Sequence, residues 1–159
     1  MNQGRSRVDL AVLSATLAAT AMIAFQVASK ATRDALFLST FEITDLPVMV
    51  MVAAVISMIM VMPATSAMAR FGPGRLIPIA FLASGLLNLV EWSLVGPAPQ
   101  AAAVLIYIHL AAFGAILISG FWSLVNESLD PRTAKKSMGR IGAGATLGGL
   151  LGGRREPSE

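Results

Sequence analysis

The sequence predicts an all-α fold, a polytopic bundle of transmembrane helices. Three observations predict it. Hydrophobic residues make up 55% of the 159 and charged residues only 13%, against about 25% charged in soluble domains, and the mean hydropathy is +0.72. The charges fall in short clusters separated by apolar runs of about 20 residues, the length that crosses a hydrocarbon core. Lys and Arg are also divided unevenly between alternate connectors, as membrane topology requires. A net charge of +3 is compatible with nucleic-acid binding by number alone. The basic residues flank apolar runs instead of gathering on a polar surface, so a lipid bilayer and not nucleic acid is the expected partner. There are no cysteines, which excludes disulfides and cysteine-ligated metals.

The first span is expected at about 10–29. Arg5 and Arg7 precede it, as in a signal peptide. The run exceeds the 7–15 or so residues of a signal h-region, and Lys30, Arg33 and Asp34 follow it, so it is read as a retained helix. The second span, about 46–69, opens at Asp45-Leu46-Pro47, because proline fits the first turn of a helix. Pro63 inside it is expected to kink it. Arg70-Phe71-Gly72-Pro73-Gly74-Arg75 is a tight turn, and the third span, about 76–95, carries Asn88 and Glu91. After Gly96-Pro97-Ala98-Pro99 the fourth span, about 101–125, carries the single histidine, His109. The charged stretch 126–140 has room for a short interfacial helix. A fifth apolar run, 141–153, is too short to cross and is cut off by the polar tail 154–159. The expectation is one bundle over 1–153, an N-terminal fragment whose natural partners include further C-terminal helices.

With the N-terminus in the cytoplasm, one side holds Arg5, Arg7, Arg70, Arg75, Arg132, Lys135, Lys136 and Arg140, and the other only Lys30 and Arg33. A multi-pass protein of the cell (inner) membrane follows. Small residues mark helix-packing ridges: Ala111, Ala115, Ser119 and Ser123 in the fourth span, and Gly144, Gly148 and Gly152, with Gly149 and Gly153, in the fifth. Gly142-Ala143-Gly144 lacks the strand that a dinucleotide loop needs.

Polar groups inside apolar helices are the candidate site residues. Gln26, Lys30 and Arg33, spaced i, i+4, i+7, share one face if the first helix extends that far. Cations there suit an anionic substrate. Alternatively they snorkel at the interface, with Asp34 pairing to Lys30. Glu91 is either an interfacial carboxylate or a coupling and gating group. His109 is a proton relay, a substrate ligand or a packing residue. No nucleophile–base pair or metal-ligand cluster stands at a recognisable spacing, so no enzyme, metal or cofactor is expected.

Two stretches resemble the bacterial and plastid ATP/ADP translocases, nucleotide transporters related to the major facilitator superfamily. One is Lys30-Ala31-Thr32-Arg33-Asp34-Ala35-Leu36-Phe37-Leu38 with Asp45-Leu46-Pro47. The other is Phe121-Trp122-Ser123-Leu124-Val125-Asn126-Glu127 with Ala134-Lys135-Lys136 and Ile141-Gly142-Ala143-Gly144-Ala145. Arg70-Phe71-Gly72 with Arg75 loosely resembles a superfamily loop. The chain departs from these patterns at Ala69, where an Asp is usual, and at His109-Leu110, near an intramembrane Glu of the translocases. The resemblance implies alternating-access transport of an anion such as a nucleotide. It implies Arg33 as substrate-facing cation with Lys30 and Asp34 beside it. It places Asn126, Lys135 and Lys136 at the inner gate, and Glu127, Arg70 and Arg75 are further candidates for a gating or structural role. The alternatives are a non-transporting membrane anchor or interaction protein, and an unrelated four-helix membrane protein.

Overall fold

The computed structural model describes residues 2–153, with side chains from Val8 onward. The side chains of Arg5 and Arg7, and the tail with Arg154 and Arg155, lie outside the described residues. The described chain is helical throughout: α1 (Asn2–Thr40), a 3₁₀ turn (Ile43–Asp45), α2 (Leu46–Phe71), α3 (Pro73–Leu94), α4 (Pro99–Ser128) and α5 (Pro131–Gly153). Four of these helices, α1 to α4, are long and apolar enough to cross a membrane. Large apolar side chains such as Met58 and Met62, 77% and 74% exposed, line their outer faces. Such surfaces belong in lipid, where helices satisfy their own backbone groups. The protein is an all-α, multi-pass membrane protein.

Two expectations about element bounds are corrected. The first helix does not end near residue 29 but runs through Lys30, Arg33 and Asp34 to Thr40. Charge ends an apolar run, but it does not end a ladder of backbone hydrogen bonds. The fifth run is not a stub beginning at residue 141. It is the second half of α5, which starts at Pro131. Asp130 Oδ1 accepts the backbone N–H groups of Arg132 and Thr133 at 3.0 and 3.1 Å, and Pro131 occupies the position where a missing N–H costs nothing. The charged connector shrinks to Leu129 and Asp130. Pro63 lies within α2, which stays helical through it.

The chain forms two compact units. In Lys30–Leu124, Phe37, Met49, Ala53, Ala103 and Tyr107 make an apolar core. Gly72 alone separates α2 from α3, at φ +77°, a left-handed conformation that favours glycine. Its N–H bonds to the Met68 carbonyl at 3.0 Å. Lower in the hairpin, Gly120 of α4 faces Ile77 of α3 so closely that a Cβ there would overlap its side chain. The expected ridge at Ala111, Ala115, Ser119 and Ser123 does not make this contact. Ala115 and Ser119 are exposed, while Ala112, Ile116 and Gly120, each one position further along, are among the buried residues.

In the unit made of the described residues of 2–29 and 125–153, the glycine ridge of α5 is the contact surface. A Cβ at Gly144 would stand 2.6 Å from Thr16 Cγ2, and one at Gly152 2.5 Å from the Ala24 carbonyl oxygen. One at Gly148 would overlap the Thr20 backbone. Gly149 and Gly153, also expected to pack, have room for a side chain. The Thr20 hydroxyl bonds across to the Gly144 carbonyl at 2.9 Å.

Candidate functional site

Both charged groupings of interest lie in the Lys30–Leu124 unit. The first joins α3 to α4. Ser84 and Glu91 are seven residues apart on α3, two turns, and so share a face. His109 of α4 lies between them. Its Nδ1 is 2.9 Å from Glu91 Oε2 and its Nε2 is 2.9 Å from Ser84 Oγ. The His109 and Glu91 side chains are each 2% exposed. Phe113 stands edge-on to the imidazole, 5.1 Å between ring centres, and the Asn88 amide donates to the Ser84 carbonyl at 2.9 Å. Beside the pair is a cavity of about 250 Å³ lined by Ile56 and Met60 of α2, apolar residues of α3 and α4, and Glu91 and His109 themselves.

This arrangement settles one alternative. Glu91 is not a solvated interfacial carboxylate, because it is fully buried against the histidine. Its apparent closeness to a helix end misled, since α4 covers it. His109 has a partner that the sequence did not reveal, and Ser84 and Tyr107 went unrecognised altogether. One signal was available. A hairpin closed at residues 95–98 sets residues equidistant from the turn opposite one another, and Ser84 and His109 are equidistant from it.

Serine, histidine and carboxylate in this order also occur in acyl-transfer enzymes. That chemistry needs a hydroxyl open to substrate and free N–H donors for an oxyanion. Here Ser84 is 3% exposed and sits inside a helix, whose N–H groups bond to its own carbonyls.

The second grouping surrounds Arg33. Its side chain is 13% exposed, and Nε and Nη2 each lie 2.9 Å from Asp34 Oδ1. Its guanidinium carbon sits 4.0 Å over the Tyr107 ring centre, and Phe37 meets Tyr107 edge-on at 5.4 Å. Asp34 therefore pairs with Arg33, not with Lys30 as the snorkelling alternative had it. The adjacent guanidinium reaches the carboxylate while the Lys30 side chain is exposed.

The remaining site residues are dispersed. Gln26 is buried and has an interaction partner. Arg70 lies over the Phe71 ring at 5.6 Å and is exposed, as are Arg75, Asn126, Glu127, Lys135 and Lys136. Among the described residues there is no group of three or more His, Cys, Asp or Glu placed to hold a metal ion. No protein-family model, curated protein or solved structure matches the chain.

Proposed function

We propose that this protein is a transporter of the major-facilitator-like type, carrying an anionic solute such as a nucleotide by alternating access. The observation that carries the reading is Arg33. A guanidinium largely buried in a membrane-length helix is expensive to keep unless it serves a ligand or pathway. It sits over the Tyr107 ring with its Nε and Nη2 on the adjacent Asp34 carboxylate. Guanidinium forks onto phosphate or carboxylate oxygens through paired hydrogen bonds, whereas lysine acts as a point charge. The translocase-like run Lys30–Leu38 supports the same assignment. In this reading Lys30 draws anions to the mouth, Asp34 holds Arg33 until substrate replaces it, and the exposed Arg70, Arg75, Lys135 and Lys136 face the cytoplasm.

Uptake of labelled ATP into proteoliposomes tests it. Arg33→Gln should weaken apparent affinity roughly ten- to hundredfold, the worth of one charge-assisted bond of about 1.5–3 kcal/mol, and Arg33→Lys should retain part of the activity. Unchanged affinity in Arg33→Gln at normal membrane abundance would overturn the assignment. For orientation, a cysteine at Gly72 should be shielded from an impermeant thiol reagent in intact cells and one at Thr40 should react. The second reading, a membrane anchor or interaction protein, has one observation in its favour. No buried side-chain polar atom among the described residues lacks a hydrogen-bond partner, as in a static bundle.

A further inference from the structure

We propose that the groove between α1 and α5 binds one anionic phospholipid, with the phosphate on Arg140 and an acyl chain laid along the leucines of both helices. The inference does not depend on anion transport.

The groove lies wholly within the unit made of the described residues of 2–29 and 125–153 and has a volume of about 980 Å³. The two helices run parallel there, because Gly144 meets Thr16, Gly148 meets Thr20 and Gly152 meets Ala24, a constant offset along both. Leu13 and Leu17 line the groove from α1, and Leu147, Leu150 and Leu151 from α5, and all five are exposed. Two threonine hydroxyls also line it, and both are satisfied. Thr16 Oγ1 donates to the Val12 carbonyl at 2.8 Å, and Thr20 Oγ1 lies 2.9 Å from the carbonyls of Thr16 and Gly144. Hydrocarbon can therefore cover them without stranding a polar group.

Charge and length identify the occupant. Arg140 lines the same groove. It is exposed, and among the described residues no carboxylate stands within ion-pair distance of it. Lys136, one turn earlier on the same face, is exposed as well. Asp9 stands one turn before Leu13 on α1, and against it the first half of α5 holds Arg132, Lys135, Lys136 and Arg140. The groove thus has a cationic end and an apolar length. From Arg140 to Leu150 the helix rises about 15 Å at about 1.5 Å per residue, half of a hydrocarbon core about 30 Å thick, so the apolar length matches one leaflet. A crossing helix would need the full thickness and would cover Arg140 without supplying a charge. A phospholipid brings its own phosphate, onto which a guanidinium forks. A zwitterionic lipid also brings a cation, which Lys136 opposes, so an anionic headgroup fits better.

Native mass spectrometry of the full chain in detergent micelles tests this, with phosphatidylglycerol and phosphatidylcholine of identical acyl chains as probes. One phosphatidylglycerol should stay bound per chain, and phosphatidylcholine should be retained less. Arg140→Gln should lower phosphatidylglycerol retention about fivefold, the worth of one basic residue near an anionic lipid surface. Gly149 also lines the groove, but a Cβ there meets only Ile23 Cγ2 at 3.8 Å, so Gly149→Trp should fill the groove, spare the seam and displace the lipid. A diazirine in the middle of the acyl chain should attach to the segment 147–151 on illumination. Excess inorganic phosphate should not displace the lipid. Equal retention of the two lipids, or unchanged retention in either variant, overturns the proposal. So does displacement by phosphate, the mark of an anion site without a groove. So does a dimer that Gly149→Trp dissociates, which would mean that a second copy of the chain fills the groove. The Arg140→Gln and phosphate arms decide the matter if Gly149→Trp does not fold. ATP uptake plays no part in the readout, so failure here is separable from failure of the transport assignment.

Discussion

The α1–α5 seam and the α3–α4 joint hold helices together in opposite ways. At the seam, three glycines a turn apart bring the backbones into contact and a single threonine hydroxyl bonds across. At the joint, a histidine reaches between helices to a carboxylate and a hydroxyl. Within lipid there is no hydrophobic drive between helices, so association rests on close packing or on interhelical hydrogen bonds. The seam uses almost purely the first and the joint adds the second. A packed seam tolerates no added volume but is indifferent to protons. A polar joint depends instead on both partners being present, since removing either leaves the other buried without its hydrogen bond.

The largest break is expected at the joint. Glu91→Ala leaves His109 buried beside an empty position. Leaving a buried imidazole nitrogen without its partner costs about 1–3 kcal/mol, above the ~0.6 kcal/mol average of an interhelical hydrogen bond in a membrane, and the space left by the missing side chain adds to it. Glu91→Leu combined with His109→Leu should recover most of that loss, since apolar replacements of both partners remove the stranded group. Unfolding in mixed micelles measures both. If the single and double variants are equally unstable, the pair is not what the joint depends on.

At the seam, Gly148→Ala should cost about 1–3 kcal/mol by overpacking, because the added Cβ meets the Thr20 backbone, which cannot rotate away. Gly149→Ala, one residue along, meets only Ile23 Cγ2 at 3.8 Å. It should be neutral or gain up to about 1 kcal/mol from helix propensity. Equal effects from the two would mean that α5 does not dock on α1 through this ridge. Thr20→Val is smaller still: it keeps the shape and deletes the bond to Gly144, for a loss of about 0.6 kcal/mol.

The same contrast explains what could be read in advance. Spans two to four were legible to within three residues at each end, because an apolar run and a helix coincide there and Gly-Pro turns close both hairpins. The seam was legible as glycine periodicity, since small side chains repeat along one element. The partners across the seam, and which glycines face them, were not, because that depends on helix rotation. The α3–α4 ridge was misassigned for the same reason, with Gly120 one position past Ser119. The His109–Glu91 pair joins residues 18 apart on different helices, and no local pattern marks it. Only the register of the hairpin does. The expected short interfacial helix in 126–140 and the apolar run from 141 are one helix starting at Pro131, and the charges of 132–140 hide that continuity although Asp130-Pro131 is a helix-start signal.

The smallest effect is also on the α5 side, and it depends on pH. The Asp130 carboxyl sits below its ordinary value of 3.8, first through a side-chain hydrogen bond with Thr133, then through the backbone N–H groups of Thr133 and Arg132 and the Arg132 charge. A lowered value means that the folded helix start favours the carboxylate over the acid. Its contribution is therefore complete above the unfolded value and disappears as pH falls through the lower, folded one. Below that point the Arg132 and Thr133 amides lose a charged acceptor and the first turn of α5 frays. Asp130→Asn keeps a capping oxygen without the charge, so it should remove the pH dependence while retaining most of the cap. Asp130→Ala should fray the turn at every pH. The amide resonances of Arg132 and Thr133, followed from neutral pH into acid, measure this directly. Wild-type resonances that move only above pH 3.8, or that move equally in Asp130→Asn, would show that the carboxylate is not what starts α5.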